Sequence, residues 1–205
     1  MKIIKTLLLL LLLGACTTYN TQKGGEPQRN YPVFLQNGLT FAAFKAQAQA
    51  KGQNFAALLT LKRNGEDITV KLTGDFAATL LEADFNGQTF NYKTVLGDML
   101  DPQVKTAFED IVKVLVAKQG AFVNYSAAKD GTYKINYKNE PYTNRYYFKK
   151  GLSFPYRLEQ LKFVVNKVFT YEDYQVYGQS ALPSKITVTD GHGIAEITLT
   201  LLSVK

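Results

Sequence analysis

The sequence predicts an α+β domain, mainly antiparallel β: one sheet built from successive hairpins, with one main helix. Three observations predict it. Apolar and polar residues alternate with period two over much of the chain, Asn-Gly pairs punctuate the alternating runs, and one stretch after Asp101 switches to helical spacing. The 205 residues suffice for one domain with a sizeable core, and 46% hydrophobic with 20% charged residues suits a folded chain. A single Cys excludes an internal disulfide framework and a multi-cysteine zinc site, and a single His leaves a histidine-rich metal centre short of ligands. No metal or cofactor is expected.

The first sixteen residues, MKIIKTLLLLLLLGAC, have the layout of an export signal. Lys2 and Lys5 form a basic start, Ile3 and Ile4 extend the apolar stretch, and Leu7 to Leu13 run unbroken. This is shorter than the roughly 20 apolar residues that a spanning helix needs. Leu13-Gly14-Ala15-Cys16 resembles a bacterial lipobox. Gly14 and Ala15 are small enough for the backbone to enter a peptidase cleft, and the Cys16 thiol is the atom that takes the lipid. The resemblance implies removal of residues 1–15 and a diacylglyceryl thioether plus an N-acyl chain on Cys16. Each buried methylene contributes about 0.8 kcal/mol, so several chains together anchor firmly. The competing reading is a plain secretory signal with an incidental cysteine. Thr17 stands where an aspartate would resemble an inner-membrane retention signal, so outer-membrane placement facing the periplasm is expected. Cleavage removes two lysines from a formal charge of +7, leaving a modestly basic surface suited to anionic lipid headgroups rather than nucleic acid.

Residues 16–37 are expected to form the lipidated Cys16 and a flexible tether, because Gly24-Gly25, Pro27 and Pro32 oppose regular structure. Residues 38–205 form the domain. Phe44, Ala46, Ala48 and Ala50 alternate with Lys45, Gln47, Gln49 and Lys51. Propensity favours a helix over residues 39–50, but the strict alternation predicts a strand. After a turn at Lys51-Gly52 comes a strand over 55–62. Asn64-Gly65 is then a strong hairpin signal, since both residues tolerate positive φ. Ile68, Val70 and Leu72 share one face of the next strand, opposite Asp67, Thr69 and Lys71. Strands over 77–85 and 89–93 flank a turn at Asn86-Gly87, completing a meander.

Asp101-Pro102 predicts a helix start: Asp caps free amides and Pro fits the first turn. Val104, Phe108, Ile111 and Leu115 recur at helical spacing, and Gly120 is the expected terminator. That apolar stripe packs on the sheet, as core or as the lining of a cavity. Beyond it, Tyr133, Ile135 and Tyr137 alternate with Lys134, Asn136 and Lys138. Further strands are predicted over 145–149, 156–163, 169–176, 185–189 and 194–202, the last after the turn Asp190-Gly191-His192-Gly193.

Catalytic chemistry is hard to find. His192 lies between glycines in a turn, with only the local Asp190 to orient it. Gly191-His192-Gly193 lacks the third glycine and the following helix of a phosphate loop. Glu172 and Asp173 point to opposite sides of a strand, and the shared face of Glu82 and Asp84 is explained by solvent. No enzyme is expected, and a hydrolase lacks a nucleophile–base pair. The aromatic content, 13 Tyr and 13 Phe without Trp, concentrates tyrosine late in the chain. KNEPYTNRYYFKK, residues 138–150, mixes aromatics with cations. It suits a lipid-headgroup surface, or it is ordinary sheet composition beside a solvated basic edge.

Two segments carry a family resemblance: LTGDFAATLLEAD, residues 72–84, and the final ALPSKITVTDGHGIAEITLTLLSVK. With the lipobox and the order of elements, they resemble the LolB and LolA/LolB-like outer-membrane lipoprotein family. The resemblance implies an unclosed β-barrel of about eleven strands with a helical lid over an apolar cavity. It also implies a membrane-inserting loop: Gly74-Asp75-Phe76-Ala77 stands where the family has Asn-Pro-Leu-Gly, which makes Phe76 the insertion candidate. The expected function is an outer-membrane-anchored monomer that binds acyl chains of lipoproteins or other lipids and delivers them to the membrane. A periplasmic carrier protein is a further candidate partner. Leu59, Leu61, Val70, Leu72, Leu81, Phe108, Ile111, Leu115, Ile197 and Leu199 are the candidate cavity lining. The alternative is a structural or assembly lipoprotein that binds an envelope protein and carries no lipid.

Overall fold

The computed structural model describes residues 19–22, 26–50, 53–97, 101–117, 119–192 and 195–205. The expected signal segment, Cys16, the Lys51-Gly52 turn, Gly193 and Ile194 lie outside them.

Before the helix come β1 (Tyr19–Gln22), β2 (Phe41–Ala50), β3 (Gln53–Asn64), β4 (Asp67–Thr73), β5 (Thr79–Phe85) and β6 (Phe90–Val95). Helix α1 (Pro102–Val116) follows. The second half is β7 (Ala121–Ala128), β8 (Tyr133–Asn139), β9 (Tyr142–Phe148), β10 (Arg157–Leu161), β11 (Val165–Tyr177), β12 (Ser180–Asp190) and β13 (Ala195–Val204). All thirteen form one antiparallel sheet, ordered β1-β7-β8-β9-β10-β11-β12-β13-β2-β3-β4-β5-β6. The two meanders are joined where β13 pairs with β2, Leu199 opposite Ala46. The sheet does not close: β6 and β1 are its edges, and α1 is the connection that spans from β6 to β7.

Period-two patterning places the core. Phe44, Leu59, Leu72 and Leu81 lie in one cross-strand row, and Leu61, Val70 and Ala83 in the next; all are buried. From α1, Phe108, Ile111, Val112, Leu115 and Val116 close over this face. Residues 41–50 are a strand despite their helical propensity, because pairing to β13 and β3 satisfies both backbone edges and propensity is the weaker term. Residues 121–128, which no alternation announced, pair with β8 as β7, and Tyr19–Gln22 adds β1 at its far side.

Several boundaries differ from expectation for identifiable reasons. Asn64 stays in β3 opposite Asp67, so the two-residue loop is Gly65-Glu66, with Gly65 at φ 64°. That is the Gly-X loop pattern rather than Asn-Gly. The strand expected from Ala77 begins at Thr79, after a one-turn 3-10 helix over Asp75–Ala77. Helix α1 starts as expected: Asp101 accepts from the Gln103 and Val104 amides at 2.7 and 3.3 Å, with Pro102 next. It stops at Val116, where Ala117 turns extended, so Gly120 is not its terminator. Gly120 serves close approach instead: a Cβ there would lie 1.9 Å from the Lys138 carbonyl oxygen.

The flexible tether expected through residue 37 is the larger correction. Val33, Phe34 and Leu35 are buried, and the Phe34 ring packs edge-on against Phe44 at 5.0 Å. The Phe34 amide donates to the Leu115 carbonyl at 2.7 Å, and the Arg63 guanidinium donates twice to the Leu35 carbonyl. Residues 31–35 are therefore a strap that plugs the barrel. The apolar run Val33-Phe34-Leu35 outweighs the prolines around it.

A Gly120→Ala protein is expected to lose about 1–3 kcal/mol of stability through overpacking against the Lys138 backbone. Urea unfolding monitored by circular dichroism measures it, and an unchanged midpoint contradicts the close-approach account.

Candidate functional site

The lid over the open side of the sheet is held without any strand ladder. Asp110, almost fully buried on α1, accepts from Tyr142 at 3.0 Å and forms an ion pair with Lys167 on β11. Glu109 accepts from the Tyr92 hydroxyl on β6 at 2.5 Å. With the Phe34 amide on Leu115, these contacts tie the helix to β6, β9, β11 and the strap.

The ten candidate lining residues are brought together. Leu59, Leu61, Val70, Leu72, Leu81, Phe108, Ile111, Leu115 and Leu199 are all buried in one apolar cluster, and Ile197 packs against it half-buried. Their side chains touch one another across the interior. Three described cavities lie elsewhere. The largest, about 390 Å³, is polar-walled at the strap, between Arg29, Asn30, Gln36, Gln179 and Ser180. A second, about 280 Å³, opens under α1 beside Asp110, Tyr142 and Gln160. A third, about 270 Å³, is a dent between Ala56, Ala57, Leu58, Gly74 and Leu202.

Phe76 is fully exposed. It sits in a tight loop closed by the Gly74 amide donating to the Ala78 carbonyl at 2.9 Å. Both Phe76 and Ala77 adopt left-handed backbone, φ 56° and 58°. Such conformations cost non-glycine residues roughly 1–2 kcal/mol each, so the loop spends stability to hold an aromatic ring in water. The dent containing Gly74 adjoins it, and Leu58 and Leu202 are exposed there too.

The aromatic stretch at 138–150 is not one surface. Tyr146 and Phe148 point into the core, where Tyr31 meets both rings edge-on at 4.8 and 5.8 Å. Arg145 and Tyr147 face outward and both contact Glu159: Arg145 as an ion pair, Tyr147 by donating at 2.8 Å. Inside, the Tyr137 hydroxyl donates to Glu26 and contacts the Tyr31 hydroxyl, each at 2.6 Å. Burial pushes Tyr31 up to about 12, and burial with Asp110 nearby pushes Tyr142 up to about 12. Burial likewise raises Tyr92, Tyr137, Tyr146, Tyr171 and Tyr174.

The polar residues weighed for catalysis do not assemble. His192 is exposed at its turn. Glu172 pairs with Lys185 at 3.0 Å. Asp84 pairs with Lys93 at 2.7 Å, and that hydrogen bond and Thr69 hold its carboxyl below the ordinary value. Among the described residues no cluster of three His, Cys, Asp or Glu could hold a metal ion, and no helix is long and apolar enough to cross a membrane.

One inward row was missed: Tyr137, Asn144, Gln160, Lys167 and Asp190 stand opposite one another across β8 to β12. The signal was present, since Asn144, Gln160 and Lys167 fall two residues from the core residues Tyr146, Leu158 and Phe169.

No family model matches the chain, and no curated protein matches it. Solved structures do. A LolA superfamily protein from Nitrosomonas europaea superposes with a TM-score of 0.57 at 11% identity, covering 84% of this chain and 88% of that one. A DUF1329 family protein from Desulfovibrio piger gives 0.56 at 10% identity, over 82% and 86% of the two chains. A domain described as an outer membrane lipoprotein-sorting protein from Vibrio parahaemolyticus gives 0.50 at 9%, over 84% and 86%. The shared feature is the fold: one unclosed antiparallel sheet with a helical lid, the LolA-like open barrel.

The buried phenols make an alkaline prediction. Tyr31 and Tyr142, raised from 10.0 to about 12, favour the folded state fully below pH 10 and lose that contribution as pH rises through about 12. Phenolate absorbance is expected to show a class of tyrosines that ionises only near or above pH 12, together with loss of circular dichroism. Ionisation of every tyrosine near pH 10 with the fold intact contradicts the buried network.

Proposed function

We propose that this is a non-enzymatic envelope lipoprotein, anchored through Cys16 to the periplasmic face of the outer membrane. It binds acyl chains of lipoproteins or other lipids and passes them to the membrane. The observation that carries the reading is Phe76, a fully exposed ring on a short, conformationally costly loop beside an apolar dent. An aromatic side chain gains roughly 1.5–3 kcal/mol on leaving water, and a bilayer is a surface that supplies the gain.

The fold supports the carriage half of the reading. No sheet hydrogen bonds hold α1, so the lid moves by releasing Asp110, Glu109 and the Leu115 carbonyl while every strand pair stays intact. An acyl chain then replaces the inner face of α1 against Leu59, Leu61, Val70, Leu72, Leu81, Ile197 and Leu199. Nothing covalent is needed, because cavity and bilayer are both apolar and the ligand selects the open state. A second reading has its own support: the ten lining candidates touch one another at rest, as expected of an assembly protein that binds an envelope partner and no lipid. Native mass spectrometry separates the two by copurifying lipid or its absence.

In a Cys16→Ser background, which carries no acyl anchor, Phe76→Glu is expected to weaken cosedimentation with anionic vesicles by about tenfold or more. Stability is expected to change by less than about 0.5 kcal/mol, since Phe76 contacts no core. Equal vesicle binding by a folded Phe76→Glu protein overturns the insertion role.

A further inference from the structure

We propose that the cavity of about 280 Å³ under α1 is a headgroup site for an amphiphile bearing a hydrogen-bond donor, an ammonium or a hydroxyl. This rests on the lipid-binding reading above and adds which end of the ligand the protein reads.

The argument begins with an unmet acceptor. Gln160 lines the cavity, is 4% exposed, and its side-chain oxygen has no partner among the described residues. Its cross-strand neighbour Asn144, 2% exposed, has an unpartnered side-chain oxygen too. Buried acceptors left unmet are costly and uncommon in native proteins, so the Gln160 oxygen, the one of the two on the cavity wall, marks a place where a donor comes from outside. The donors nearby turn to Asp110 instead: Lys167 pairs with it, and Tyr142 donates to it as well.

Position and size agree. The cavity lies between the β5–β6 turn, the β8–β9 turn and α1. Val114 belongs both to its wall and to the residues packed on the apolar core, so a bound headgroup continues directly into the greasy interior. Its volume lies below the range of drug-sized sites and suits a headgroup, not an acyl chain. The same wall carries the carboxylates of Asp110 and Glu140 and the ammonium of Lys113, which pairs with Glu109 at 3.9 Å.

Phosphatidylethanolamine and phosphatidylcholine with identical acyl chains form the test pair, since both carry a phosphate but the choline group has no N–H to donate. Native mass spectrometry of the mature lipoprotein with an equimolar mixture is expected to show about tenfold more ethanolamine adduct. Gln160→Met, which keeps the volume and removes the acceptor, is expected to bring the two adducts to near equality without lowering their total. Equal adducts on the unmutated protein overturn the headgroup site while leaving acyl carriage standing, and that comparison holds even if the variant fails to fold. A preference that survives in a folded Gln160→Met protein overturns it as well. Absence of both adducts fails the lipid-binding reading itself.

Discussion

Because β6 finds no strand beyond it among the described residues, the apolar inner face of this sheet does not seal itself. A closed barrel has no edges; here the edges stay apart and the interior must be covered by other means. Helix α1 and the strap at residues 31–35 are that cover. They meet one another through the Phe34 amide and the Leu115 carbonyl, a hydrogen bond that belongs to no regular element. Two of the three described cavities lie beside these covering segments, one at the strap and one under α1.

The polar contacts at the gap fix position more than they add stability. Bringing Asp110 and Lys167 out of water costs several kcal/mol per ion, and their attraction roughly repays it only because Tyr142 also donates to the carboxylate. The inward row Tyr137, Asn144, Gln160, Lys167 and Asp190 lies one pleat from the apolar row Ile135, Tyr146, Leu158, Phe169 and Val188, so the interior is layered rather than uniform.

Much of the fold was legible in the sequence, because strand periodicity and turn chemistry are local. The β4 segment alternates cleanly, Asn86 makes its Asx turn with the Gln88 and Thr89 amides, and Asp101 caps α1. What the sequence hid is non-local. Val33-Phe34-Leu35 is strap rather than tether only because an open barrel mouth waits for it. Residues 121–128 become a strand because β8 offers an edge, and Gly120 matters through Lys138 rather than through helix termination. The candidate site divides in the same way. Alternation and helical spacing pointed to the ten apolar residues as a cavity lining; they share one packed cluster, and the three described cavities lie elsewhere. The amides at 144 and 160 carry no signal of their own in the sequence, because an inward amide matters only through the cross-strand partner it meets.

A resting interior filled by side chains is compatible with carrying lipid, and the magnitudes say why. Swinging α1 outward exposes the inner surfaces of Phe108, Ile111, Val112, Leu115 and Val116, at about 1.5–3 kcal/mol each, or roughly 8–15 kcal/mol together. A long saturated acyl chain of about sixteen carbons that takes their place recovers about 0.8 kcal/mol per methylene, close to 12 kcal/mol. Measured from water the exchange is therefore near balance: the chain's gain on leaving water offsets the cost of exposing the lid's inner face. Near balance also gives small polar terms the deciding vote. On the proposed headgroup reading, a donor that meets the Gln160 oxygen beside α1 would shift the equilibrium by about tenfold, enough to distinguish one headgroup from another when the acyl chains are identical.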